Sequence, residues 1–154
     1  MSPTDDSAGR EAWELLFGLF PGIRSGILAA CAELDLTPAQ GRLLQHLDPG
    51  RPVPMTELAW VHSCDASNIT GLVDKLEARG LIARTAHPAD RRVKMIAVTP
   101  AGAKLRARLL DRISRPPPFI TSLSSTDQQR LRDLLLKATR SGTSEPARPR
   151  SSSP

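Results

Sequence analysis

The side chains best suited to chemistry in this chain are small polar residues followed by a run of cations. Ala66, Ser67, Asn68, Thr70, Gly71, Asp74 and Lys75 share one side of a segment whose other side is Ile69, Leu72, Val73 and Leu76. The apolar set falls at i, i+3, i+4 and i+7, which is one face of an α-helix. Small side chains on the opposite face let a helix backbone sink deep into a groove. Ser, Asn and Thr can hydrogen-bond base edges and phosphates. The helix N-terminus adds partial positive charge toward an anion. From Arg84 to Lys94 the chain then carries four basic residues against one acid, Asp90. Arg91 and Arg92 stand at or beside the tip of a turn containing Pro88. An arginine on a projecting hairpin fits the narrow minor groove, whose negative potential attracts guanidinium. The bland alternatives are an amphipathic helix with a polar face and a solvated turn. Helix followed by basic hairpin favours the nucleic-acid reading over both.

Composition points the same way. The 154 residues hold 21 Lys and Arg against 16 Asp and Glu, a net charge of +5. That excess suits a polyanionic partner. Two Trp, three Phe and no Tyr leave few platforms for stacking single-stranded bases, so double-stranded DNA is the expected partner. No Gly-rich phosphate loop, HExxH or GxSxG motif occurs. His46, His62 and His87 are scattered, and Cys31 and Cys64 lack paired metal spacing. No catalytic residue, cofactor or metal is therefore expected, and an enzyme is disfavoured. No apolar run is seen to approach the roughly 20 residues of a membrane span. The polar first ten residues do not resemble a secretory signal. The expectation is a cytoplasmic protein with no membrane partner.

The elements that must position these residues follow from periodicity and punctuation. Residues 1–10 are expected to be loose. A helix is predicted from Glu11 to about Leu34, with Leu16, Phe20, Ile23, Ile27, Cys31 and Leu34 as its stripe and a kink or break at Pro21-Gly22. Leu15, Leu19 and Leu28 widen the apolar surface, so one side can face its own domain and the other a partner chain. Thr37-Pro38 caps a second helix with Leu43, Leu44 and Leu47 inward. Asp48-Pro49-Gly50 ends it, and Pro52 and Pro54 keep the next loop open. Thr56 is placed as the cap of a short helix containing Leu58, Ala59 and Val61. A turn at His62–Asp65 leads into the helix Ala66–Arg79, which Gly80 stops. Strands are predicted at Leu81–Thr85 and Val93–Val98. Thr99-Pro100 starts another helix to about Ser114, ended by Pro116-Pro117-Pro118. Ser124 and Asp127 resemble a capping box opening the last helix, through Leu131, Leu134, Leu135 and Ala138. The tail 141–154, with Arg148 and Arg150, is too polar to bury and is expected to be disordered.

The run from Cys64 to Ile82, continued by Pro88-Ala89-Asp90-Arg91-Arg92 and Val98-Thr99-Pro100-Ala101-Gly102, resembles the MarR-type (multiple antibiotic resistance regulator) winged helix-turn-helix repressors. The resemblance implies a mainly α fold with a two-stranded β wing and a helical dimerisation region drawn from both chain ends. Residues 11–36 and 100–140 form that region, and 37–99 the DNA-binding domain. It places the outer-face residues 66–75 in the major groove, Arg92 as the wing arginine and Asp90 as the acid that orients it. Gly71 departs from the pattern, since many members carry a larger, often basic residue there. His62 and Pro21-Gly22 also depart. The implied function is a homodimeric transcriptional regulator, commonly a repressor, on a pseudopalindromic site, released in some members by a small aromatic or anionic effector. Arg24 and His46 beside Trp13, Phe17 and Phe20 are candidates for greeting such a molecule, although these aromatics are expected to be core. Cys31 and Cys64 are expected to be small buried hydrophobes and not oxidant sensors. The rival class is a helix-turn-helix fold used only as a protein-interaction module.

Overall fold

The computed structural model describes residues 4–61 and 66–142. The expected turn at His62–Asp65, Cys64 with it, and the tail from residue 143 onward lie outside the described residues. The chain divides into two compact units, Met1–Arg115 and Pro116–Pro154.

The first unit contains α1 (Thr4–Glu33), α2 (Pro38–His46), β1 (Val53–Pro54), α3 (Met55–Val61), α4 (Ala66–Ala78), β2 (Ile82–Ala86), β3 (Lys94–Val98) and α5 (Pro100–Ile113). The winged arrangement is the expected one, with one strand more. The sheet order is β1-β3-β2, all antiparallel, with Val53 opposite Ile96 and Arg84 opposite Ile96 on its other side. Sequence reading left 51–54 as an open loop because Pro52 and Pro54 punctuate it. Proline lacks a backbone donor, but an edge strand tolerates that loss.

Helix starts follow their caps. Thr37 Oγ1 accepts from the Gln40 backbone N–H at 3.2 Å, and Gln40 Oε1 accepts from the Thr37 N–H at 2.9 Å. This reciprocal box satisfies the otherwise buried Gln40. Thr99 repeats the device, its Oγ1 accepting from the Gly102 N–H at 3.1 Å. Leu43, Leu44 and Leu47 from α2 meet Leu58 from α3, Ile69, Val73 and Leu76 from α4, Ile82, Ile96 and Leu109 in one closed core.

Two expectations about the first helix are corrected. It begins at Thr4, so residues 4–10 are helical and not loose. Asp5 and Asp6 fall in the first turn of that helix by sequence, where acidic residues complement the macrodipole. The helix also runs through Pro21 without ending, which excludes the break half of that expectation. Proline there costs one intrahelical bond, but the long flanking helical stretches carry the element across it. A third correction concerns hydropathy. The stretch Ser7–Glu33 has a mean hydropathy of 1.6 in its most apolar window and is long and apolar enough to cross a membrane by length and composition. Alanine between the large side chains holds that mean up, and the scarcity of charge between Leu15 and Ala32 keeps it there, which counting only the large residues misses.

The second unit consists of α6 (Pro118–Thr121), which the sequence reading missed, and α7 (Ser125–Gly142). Ser124 Oγ accepts from the Asp127 N–H at 3.2 Å, the cap half of the expected box, and its hydroxyl donates to the Asp127 carboxylate at 2.7 Å where a full box would use the backbone N–H. Leu134, Leu135 and Leu136 of α7 are exposed in the single chain.

Candidate nucleic-acid interface

Helix α4 separates its two faces cleanly. Ile69, Val73 and Leu76 are fully buried, while Asn68, Thr70, Asp74 and Lys75 are exposed. The side chains of Ala66 and Ser67 lie outside the described residues, but both positions belong to the first turn of α4. A Cβ built on Gly71 meets nothing within 4 Å, so this surface is open to close approach. Gly80 ends the helix with φ +67°, the left-handed conformation that favours glycine, and Leu81 N–H returns to Leu76 O at 3.0 Å.

The wing tip is held by local bonds. His87 N–H donates to Val93 O at 3.1 Å, and Val93 N–H to Asp90 O at 3.0 Å. Asp90 Oδ1 accepts from the Arg92 backbone N–H at 3.0 Å. The acid thus orients Arg92 through the main chain, an Asx turn, and leaves its guanidinium outside any ion pair. Among the described residues Lys75, Arg91, Arg92 and Lys94 are all exposed and in no ion pair.

Arg84 and Asp74, both singled out as DNA contacts, are instead brought together. Arg84 Nη2 pairs with Asp74 and Nη1 with Glu77, while the Arg84 backbone N–H donates to Glu77 Oε1 at 3.1 Å. The Arg84 side chain is 24% exposed. Its ionisation is pushed further up, first by the hydrogen bond to Asp74, against an opposing desolvation; the charge of Glu77 adds to the rise. Sequence carried a signal for this: two acids three apart on one helix, with an arginine in the strand that follows.

Between α3, α4 and the wing lies a cleft of about 720 Å³, lined by Met55, Thr56, Thr70, Arg84, Arg92 and Lys94 among others. Most of its lining is apolar, and the exposed cations Arg92 and Lys94 on its wing side suit a phosphate backbone. Thr56 and Lys94 were not singled out from sequence. Thr56 had been placed as a cap, but α3 begins at Met55.

The aromatics of α1 are not core, which corrects the sequence expectation. Trp13 is 59% exposed, Phe17 62% and Phe20 50%, and their rings follow one another at 6.1 and 5.7 Å. Only the last turns of α1, at Ala30 and Cys31, with Leu34 just beyond, enter the core, where they pack toward α2 and α5. Leu15, Leu16, Leu19, Ile23, Ile27 and Leu28 remain exposed in the single chain. His46 Nδ1 lies 3.1 Å from Arg42 O. Cys31 is buried, and burial pushes its thiol up from its ordinary value. A thiol held protonated is a poor nucleophile. Among the described residues no group of three or more His, Cys, Asp or Glu is placed to hold a metal.

Residues 36–94, from the residue before the α2 cap to the start of β3, match a family model described as MarR family. Over 141 residues the chain is 28% identical to the putative transcriptional regulatory protein for the hcr operon of Thauera aromatica, covering 91% of this chain and 85% of that protein. The crystal structure of the YusO protein from Bacillus subtilis matches with a TM-score of 0.69 at 24% identity, covering 91% and 99%. A mutant of MepR from S. aureus, solved bound to an oligodeoxyribonucleotide, matches with a TM-score of 0.61 at 22% identity, covering 84% and 96%. At those identities the two structures speak for the fold.

Proposed function

The chain belongs to the MarR family, whose members are transcriptional regulators and not enzymes and bind DNA as dimers, and from that premise we propose that it is a repressor occupying a pseudopalindromic duplex operator as a homodimer. The observation that carries the reading is that α4's open polar face lies with four exposed cations in no ion pair among the described residues, Lys75 on the same helix and Arg91, Arg92 and Lys94 on the wing. Asn68 and Thr70, with Ala66, Ser67 and Gly71, take the major groove. Arg92 takes the adjacent minor groove, with Arg91 and Lys94 at phosphates. One helix reads only a few base pairs, so a two-fold pair reads half-sites about one helical turn apart.

The exposed apolar surface of α1 supports the dimer. A helix with so many uncovered large side chains needs a partner surface. Dimerisation through 11–36 and 100–140, with 37–99 as the DNA-binding part, is the domain reading that fits. A DNA partner places the protein in the cytoplasm. We include release by a small aromatic or anionic effector in this reading. A space of about 460 Å³ bordered by Asp35, Leu36, Thr37, Gln40 and Arg79 could seat one.

The test is selection of bound fragments from a genomic duplex library, followed by affinity measurements across salt. Retained fragments should share an inverted repeat, and affinity should fall steeply with salt as counterions are released. No retention at moderate salt would leave the fold as a protein-interaction module. A panel of aromatic carboxylates that shifts neither Tm nor the DNA complex would remove the effector.

A further inference from the structure

We propose that Arg84 is a positioning residue: it sets the angle between recognition helix and wing by bridging Asp74 and Glu77, and it does not itself bind DNA. The inference rests on the DNA-binding reading above. Strand alternation puts Arg84 on the same side of β2 as buried Ile82, the side turned toward α4. Asp74 and Glu77 stand three residues apart on α4 and so share one helix face. Arg84 reaches both with separate guanidinium nitrogens and adds its backbone N–H to Glu77. Three bonds from one residue to two points on a helix fix both separation and rotation.

The planar fork of arginine is required for this. Lysine offers a point charge on a flexible stem and cannot hold two carboxylates in one plane. The pairing also has an electrostatic result. Asp74 is exposed on the face offered to DNA, where a bare carboxylate would repel phosphate. Arg84 offsets that charge at its source. Its own charge is thereby spent within the protein, whereas Arg91, Arg92 and Lys94 are left unpaired among the described residues.

The decisive experiment uses the full-length protein and the duplex obtained by selection, with random-sequence duplex alongside. The variants are D74N/E77Q, R84K and R84A, each checked by circular dichroism and melting temperature. Removing two acids beside DNA should tighten binding if electrostatics alone mattered. The proposal expects the opposite on the selected site: D74N/E77Q weakens it at least tenfold, leaves random duplex bound equally or more tightly, and so lowers the specificity ratio. R84K, which keeps the charge, should lose as much specific binding as R84A. Tighter specific binding by D74N/E77Q, or wild-type affinity in R84K, would overturn the proposal. If R84A misfolds, D74N/E77Q and R84K still decide the matter. Wild-type protein that binds no duplex would instead sink the DNA-binding reading, a result distinct from failure of the clamp.

Discussion

Replacing Gly102 by alanine should destabilise the protein, whereas the same change at Gly71 should stabilise it. A Cβ at Gly102 would sit 1.9 Å from Leu81 O, 2.7 Å from Val98 Cγ2 and 2.8 Å from Leu81 C. Ordinary contact needs about 3.5 Å, so the first turn of α5 must retreat from the start of β2 by roughly 1.5 Å. The obstacle is backbone and cannot rotate away. That retreat strains the Thr99 N–H bond to Leu81 O at 3.0 Å and the Thr99 hydroxyl bond to Gly80 O at 2.6 Å. Overpacking costs about 1–3 kcal/mol, and a weakened hydrogen bond about 1 kcal/mol more. Better helix propensity returns about 1 kcal/mol. The net is roughly 1–3 kcal/mol of lost stability, building on those terms. At Gly71 nothing lies within 4 Å, so only the propensity gain remains, about 0.5–1 kcal/mol. Urea unfolding at fixed protein concentration reads both, with unchanged m-values confirming that the midpoints report stability. A Gly102→Ala protein as stable as wild type would refute the close-approach argument.

Four further outcomes follow from the structure. Arg92→Ala should weaken specific binding at least tenfold with the dimer intact; unchanged fluorescence anisotropy titrations would take the wing out of the mechanism. Asn68→Ala should alter sequence preference more than retention on nonspecific DNA, and recovery of the same consensus from random duplexes would count against it. Phe17→Asp should leave the chain folded, because that ring is 62% exposed within it, yet give monomers in sedimentation velocity and abolish operator binding. Persistence of the dimer would show that α1 is not its interface. Burial raises the Cys31 thiol above its ordinary value of 9.0, so its contribution to stability is intact below that pH and lost as pH climbs beyond it. Cys31→Ala should flatten the alkaline loss in urea titrations, and an identical slope would contradict the burial argument.

Local rules made much of this fold legible. The Thr37 and Thr99 caps, the α4 face and the Gly80 stop each depend on residues within a few positions of one another, and each is present. So is the hairpin carrying Arg91 and Arg92. What sequence did not reveal depends on longer reach. Strand β1 is two residues long and exists only because β3 offers it an edge. The exposure of Trp13, Phe17 and Phe20 could not be read from periodicity, which says that a face is apolar but not what covers it. Asp74 and Arg84 are ten positions apart, and their pairing needs the turn at Gly80 to fold strand back on helix. The candidate site was therefore legible in its location and charge, but not in which of its charged groups are free.

Among the described residues, the ion pairs that join helix α4 to other elements gather at its C-terminal end. Arg79, just past its last turn, donates to Asp35 O at 2.6 Å and faces the Asp35 carboxylate at 3.7 Å, and Asp74 and Glu77 are gripped from the wing strand. All of these ion pairs lie in the rear half of the helix, while its front is held by the buried side chain of Ile69 and offers Asn68 outward. A small shift at Asp35 would act on the rear of the helix first. Under the DNA-binding reading, alleles that abolish control should therefore collect at Asp35 and Arg79 as readily as on the outer face of α4.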